Sequence, residues 1–322
     1  MKSAANVLIH ASQFPENVRR DLLASLRTRK INHKFHYDSV KQTQKWLALH
    51  QIYSPSRHDA DCAATYDRSF VEAARKIKSQ RVHVIGLGCG GGQKDTRLLK
   101  LLKSGGREIF YTPCDVSTAM VLIARQTALA VLLEQNCFPS VCDLATTDDL
   151  QKLLVTRHAS LVTFFGMIPN FEPHEILQKL ASLIRSKDYL LFSANLAPGE
   201  NYTAGVKVVL PQYDNPPTRE WLLTFLLDLG IARRDGKLQF KIKSKAGGLK
   251  RIAALFVFTR AASVAIESER FDFRRGESIR LFFSYRYTPA LVHKFLREHG
   301  LEVSGEWITQ SGEEGIFLCR RK

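Results

Sequence analysis

Five glycines occupy the seven positions of Gly86-Leu87-Gly88-Cys89-Gly90-Gly91-Gly92, between the apolar run Val82–Leu87 and a leucine-rich stretch that begins near Lys94. Side chains are being kept out of a turn. What this permits is close approach of a ligand to the main chain. A glycine-rich turn between a buried strand and a helix opens a concavity lined by backbone N–H groups, where a nucleotide or nucleoside can lie. Two acids, Asp115 and Asp143, stand just after the next two apolar runs.

The elements that hold these residues are legible as an alternation. A helical pattern over Asp67–Lys78 leads into strand 82–87, helix 94–103, strand 108–114, helix 117–134, strand 139–142, helix 148–156, strand 160–165, helix 173–185 and strand 188–194. Strands alternating with helices imply a parallel sheet covered on both faces. The alternation breaks after Leu196-Ala197-Pro198-Gly199. A helix with Trp221 and Leu222 is followed by strand-like runs at Leu238–Ile242, Ile252–Phe258, Ser263–Phe273 and Ser278–Tyr285, which reads as an antiparallel sheet in an inserted domain. Helix 289–298 and the strands Leu301–Ile308 and Gly315–Arg320 then form a closing hairpin. Such a hairpin suits the mixed sheet of a class I methyltransferase rather than a dehydrogenase. The expected division is 1–60 as an amino-terminal segment joining the substrate domain, 61–195 as a Rossmann-like domain, 196–286 as the inserted, partly antiparallel α+β domain, and 287–322 completing the first sheet.

Composition excludes several function classes. The chain has 322 residues, 45% of them hydrophobic and 24% charged, enough for a full core. No apolar run approaches the roughly 20 residues that span a bilayer, and the amino terminus does not read as a secretory signal, so a cytoplasmic protein without membrane partners is expected. The six cysteines form no Cys-x-x-Cys pair and read as small core residues, with neither a zinc site nor a disulfide framework. The formal net charge of +16 comes from 47 Lys and Arg scattered without a basic block, which points away from a nucleic-acid partner and toward a solvated surface. Asn215-Pro216-Pro217-Thr218 is similar to the Asn-Pro-Pro-aromatic motif of adenine-amino methyltransferases. It lies after the fifth strand instead of the fourth and lacks the aromatic residue, so it reads as a turn.

Several ordered motifs resemble the histidine-specific Nα-methyltransferases of ergothioneine biosynthesis. They are Gly88-Cys89-Gly90 with Lys94 and Thr96-Arg97-Leu98-Leu99, then Asp115-Val116-Ser117, then Phe164-Phe165-Gly166 with Asn170-Phe171. Tyr37-Asp38, Tyr53 with Pro55 and Arg57, Tyr213-Asp214, and Gly276-Glu277-Ser278-Ile279 leading to Ser284-Tyr285-Arg286-Tyr287-Thr288-Pro289 extend the likeness from about residue 30 to the end of the chain. The resemblance implies S-adenosylmethionine (SAM) as cofactor. Gly86, Gly88 and Gly90 would clear space for its methionine portion and ribose, Asp115 would accept both ribose hydroxyls, and Asp143 with Leu144 would meet the adenine. Lys94 and Gly166 complete the implied cofactor set. The acids also have an ordinary reading, as helix caps or solvated loop residues.

On the acceptor side, the resemblance places Asn170 and Tyr213 around the amino group and carboxylate of an amino acid, with Tyr37 lining the same pocket. An α-amine needs only to lose a proton and present its lone pair in line with the methyl, so neutral groups such as Tyr37 and Asn170 suffice as the catalytic pair. Two departures change the expected substrate. Where the family carries an acid two positions before Ser284, this chain has Phe282, and the family's paired tyrosines before proline appear as Tyr53-Ser54. A phenyl ring packs but cannot hydrogen-bond an imidazole. The expected function is therefore SAM-dependent N-methylation of an amino acid or small amine not selected as histidine, by a monomer. A nucleic-acid methyltransferase and a SAM-binding protein without turnover are the alternatives, and Phe282 and Phe283 as register-shifted core residues is the other reading of that strand.

Overall fold

A computed structural model describes residues 5–154 and 156–322. In chain order its strands are β1 (Leu8–Ile9), β2 (Arg81–Leu87), β3 (Glu108–Asp115), β4 (Ser140–Val141), β5 (Ala159–Phe164), β6 (Tyr189–Asn195), β7 (Gly236–Ser244), β8 (Lys250–Phe258), β9 (Ala262–Ile266), β10 (Glu269–Phe273), β11 (Ser278–Arg286), β12 (Leu301–Ile308) and β13 (Glu314–Arg321). Two compact units result. One holds Gln13 and the described residues before it, Pro55–Leu196 and Tyr287–Lys322; the other holds Phe14–Ser54 and Ala197–Arg286.

In the first unit the described strands form one eight-stranded sheet in the order β1-β4-β3-β2-β5-β6-β13-β12. β1 to β6 run parallel, and β13 pairs antiparallel with both β6 and β12. From β2 the chain winds to β3 and β4 on one side, then to β5 and β6 on the other. The carboxyl ends of β2 and β5 therefore flank the crevice where open α/β sheets take their ligands. The helix Ala60–Lys76, capped by the Asp59 carboxylate, buries Cys62, Tyr66, Phe70 and Ala73 at helical spacing. The helix Gln93–Ser104 buries Leu98, Leu99 and Leu102 and starts after Gly92, whose φ is +73°. A Cβ on Gly92 would lie 2.8 Å from Ala124 Cα of the helix Thr118–Ala128, an approach only glycine allows.

In the second unit β11, β8 and β7 form an antiparallel sheet, and β9 and β10 a separate hairpin. Its core joins Trp221, Leu222 and Phe225 of the helix Pro216–Asp228 to Phe256, Phe258, Leu281 and Phe282 of the sheet.

Four expectations are corrected. Residues 1–60 do not all join the inserted domain: β1 pairs parallel with β4 at the edge of the large sheet, and the helices Pro55–His58 and Ala60–Lys76 also belong to the first unit. The run 263–273 is two strands, because Glu267 at φ 53° reverses the chain. The helix expected over 117–134 stops at Ala128, where Val131 N–H turns back to the Ala128 carbonyl and Lys103 Nζ donates to the Val131 carbonyl. The helix expected over 148–156 is a single turn, Leu150–Leu153.

Candidate functional site

The glycine turn is built from left-handed backbone. Gly88, Gly90 and Gly92 have φ of +59°, +51° and +73°, conformations L side chains rarely adopt. A Cβ on Gly88 would lie 2.5 Å from Met167 Cγ. The turn aims the Gly90 N–H at Asp115 Oδ2, 3.0 Å away, while Ser117 N–H donates to Oδ1 at 3.0 Å. Asp115 ends β3 and is only 8% exposed. Burial pushes its carboxyl above the usual range, against the backbone N–H groups of Ser117, Gly90 and Val116 that favour the anion. A carboxylate offers about four lone-pair sites. Gly90 and Ser117 bond one oxygen each, and the lone pairs that remain suit the hydroxyl donors of a ribose diol.

Asp143 follows β4 and closes a tight turn: its Oδ1 accepts Ala145 N–H at 2.9 Å, and its own N–H donates to Ser12 Oγ at 3.0 Å. Leu144 is buried, and its carbonyl accepts from Lys179 Nζ at 3.1 Å. Gly166 (φ +70°) donates its N–H to Ser193 Oγ at 2.9 Å, with nothing within 4 Å of where a Cβ would stand. Asn170 closes the turn Ile168–Asn170, half-buried, and its side-chain amide makes no hydrogen bond among the described residues.

For Gly86 the expected reason is corrected. A Cβ there would overlap Asp95 Oδ2, a buried carboxylate held by Tyr111 Oη at 2.7 Å and Thr163 Oγ1 at 2.7 Å. Gly86 makes room for that carboxylate. Burial raises the Asp95 carboxyl above its usual range, opposed by the bonds from Thr163 and Tyr111. Lys94 donates to Tyr66 Oη at 2.8 Å and lies 4.1 Å from the Tyr66 ring centroid. Asp95 and Tyr66 were not singled out in the sequence, where spacing marks Tyr66 only as one more apolar residue on the inner face of a helix.

In the second unit, Tyr213 Oη donates to Ser284 Oγ at 2.9 Å. Phe282 lies two residues before Ser284 on the same face of β11 and is 8% exposed. Its ring is 5.6 Å from Trp221 and 5.0 Å from His33. Tyr37 stands 5.4 Å from Trp221 and 6.0 Å from Trp46, so Trp221 links it to Phe282. Burial drives His33 well below its ordinary pKa, and neither ring nitrogen has a hydrogen-bond partner among the described residues. Ser54 is buried at the end of the helix Val40–Tyr53, whereas Tyr53 is 49% exposed. Trp221 and His33 complete this aromatic set, and neither is distinguishable in sequence from an ordinary core residue. The second unit thus brings Tyr213 and Ser284 into direct contact and groups Tyr37 with Phe282. The first unit holds the implied cofactor residues and Asn170.

The sequence matches the family described as histidine-specific methyltransferase, SAM-dependent, over residues 17–220 and 238–321. It is similar to the N-methyltransferase imqF of Aspergillus flavus, 25% identical over 280 residues that cover 82% of this chain and 73% of that protein. The N-methyltransferase fsqC of Aspergillus fumigatus is 24% identical over 247 residues, 72% of this chain and 64% of that one. Among solved structures, magnesium protoporphyrin IX methyltransferase of Synechocystis PCC 6803 with bound SAH superposes at a TM-score of 0.50 and 14% identity, covering 90% of this chain and 98% of that one. That likeness is one of fold: a class I SAM-dependent methyltransferase sheet.

Proposed function

We propose that this chain, which belongs to the family of histidine-specific, SAM-dependent methyltransferases, methylates the amine of an amino acid or related small amine other than histidine. It is a SAM-dependent N-methyltransferase, an activity supported by the family and by its fungal N-methyltransferase relatives. Phe282 carries the reading of the acceptor. At the position where the family's acid would meet an imidazole, this chain packs a phenyl ring against Trp221 and His33. A buried histidine side chain there would lose a hydrogen-bond partner, while an aromatic or apolar side chain would lose nothing.

When bound, SAM supplies an electrophilic methyl group on its sulfonium sulfur. The chain's own residues position the cofactor and the amine. Asp115 holds the ribose, the turn at Gly88 and Gly90 admits the cofactor to the backbone, Lys94 takes its methionine portion, and Asp143 with Leu144 takes the adenine. Tyr213 and Ser284 orient the acceptor, whose other contacts are Tyr53 and Ser54. In the first unit the Asn170 side-chain carbonyl can accept a hydrogen bond from an amine, and in the second unit the Tyr37 hydroxyl can do the same, while the proton itself leaves to water. Asn215 supports no base-binding role: its side chain caps the helix Pro216–Asp228 by accepting from Thr218 N–H at 2.9 Å.

The test is a screen of the purified protein with SAM against the common amino acids and biogenic amines, read by mass. An aromatic or apolar acceptor is expected to exceed histidine in kcat/KM, and Phe282→Glu, alone or with Ser54→Tyr, to move that ratio toward histidine. Histidine as the best acceptor of the unaltered protein overturns the reading.

A further inference from the structure

The first unit contains a partly buried polar cluster that no motif marks, and it ends on Lys94. Tyr66, fully buried on the helix Ala60–Lys76, accepts a hydrogen bond from the Lys94 ammonium at 2.8 Å and donates its own hydroxyl hydrogen bond to Glu314 Oε1. Its oxygen also lies 2.9 Å from Ser193 Oγ, the atom that accepts the Gly166 N–H. The other carboxylate oxygen of Glu314 accepts from Cys62 Sγ at 3.4 Å. Glu314 cannot drift. It opens β13, its backbone pairs in register with Asn195 of β6, and its carbonyl accepts Thr309 N–H at 3.0 Å. A carboxylate from the closing hairpin, a phenol from a helix 248 residues earlier, and a lysine from the first turn after the glycines thus form one chain of hydrogen bonds.

An ammonium has three N–H donors. Among the described residues Lys94 uses one, on Tyr66. The Tyr66 and Phe165 rings, 4.1 Å and 5.9 Å from Nζ, wall the ammonium on other sides. We propose that Glu314 and Tyr66 are positioning residues that hold the Lys94 ammonium beside the glycine turn, so that its remaining donors take the α-carboxylate of the cofactor's methionine portion. This rests on the assignment of Lys94 to the cofactor and is independent of which amine is methylated. Burial lowers the Lys94 pKa from its ordinary value; Glu314, Cys62 and Asp95 act against that, and Arg97 adds to it. Cys62 and Tyr66 have raised pKa values and stay neutral, so the Glu314 carboxylate is the first of the opposing groups.

The experiment compares two ligands with no acceptor present: S-adenosylhomocysteine (SAH), and 5′-methylthioadenosine, which shares the nucleoside but lacks the amino-acid end. Calorimetry on Glu314→Gln is expected to show the SAH Kd rising about tenfold, the scale of a weakened charge-assisted contact, with less than a twofold change for 5′-methylthioadenosine. SAH affinity falls as pH rises through the lowered Lys94 pKa, and in Glu314→Gln that fall moves to lower pH. Tyr66→Phe is expected to give the same ligand selectivity, and it decides the matter if Glu314→Gln does not fold. Equal weakening of both ligands, or no weakening of SAH, overturns the proposal. Lys94→Met separates the two levels: if it leaves SAH binding unchanged, the assignment of Lys94 to the cofactor fails. If it weakens SAH while Glu314→Gln and Tyr66→Phe do not, only the positioning role fails.

Discussion

Replacing Asp115 with Asn keeps the shape of the side chain and removes one acceptor and the charge. In the native site both oxygens are in use, Oδ2 by Gly90 N–H and Oδ1 by Ser117 N–H, each at 3.0 Å. An asparagine presents one acceptor and one NH2 group, so one of those backbone donors faces another donor. A buried N–H left unmatched costs about 1–3 kcal/mol, and domains of this general size lose roughly 2–4 °C in Tm per kcal/mol. A fall of several degrees is expected. The larger effect falls on the ligand. A hydroxyl donating to a charged acceptor contributes about 1.5–3 kcal/mol, and 1.4 kcal/mol is tenfold in affinity, so SAH binding should weaken by roughly 10- to 100-fold. Thermal unfolding checks the first figure and calorimetry with SAH the second. A folded Asp115→Asn protein that binds SAH within twofold of the unaltered one would remove Asp115 from the cofactor site and refute the reasoning from its unfilled lone pairs.

Two glycines of the same unit should differ in cost. Gly86→Ala places a Cβ onto the Asp95 carboxylate that Tyr111 and Thr163 hold, so a loss of about 3 kcal/mol or more is expected in denaturant unfolding. Gly166→Ala meets no atom within 4 Å and should cost only the roughly 1–2 kcal/mol of left-handed backbone. Equal costs would show that the space read at Gly86 is wrong. His36 is buried, with Nε2 donating to the Leu281 carbonyl at 2.8 Å, and burial lowers its pKa to about 4. A depressed folded-state pKa contributes stability that is present above the unfolded value near 6.5 and is lost as pH falls through about 4. NMR titration of His36 should therefore show a neutral ring at pH 6. A midpoint near 6.5 in the folded protein would contradict the burial argument.

Local pattern was enough for the parallel half of the fold and for the glycine turn. β2 is a continuous apolar run because both its faces are covered, and the glycines after it reflect a backbone need that acts over a few residues, three of them at positive φ. Asp115 was legible for the same reason, since its place at the end of a strand next to that turn follows from the order of elements alone. The strand β11 that carries Phe282 and Ser284 was less so. A register shift between Arg280 and Phe282 changes which face each residue takes, and a bulge leaves no mark in an alternation of mostly apolar residues. Tertiary structure alone decided that Gly86 serves Asp95, that β1 pairs with β4, and that Tyr66 joins Lys94 to Glu314, which Cys62 also bonds. Each of these depends on partners brought together by sheet order or helix packing across long stretches of chain. Hydrophobic period reports which side of an element is buried, but not which buried polar group on another element it will face.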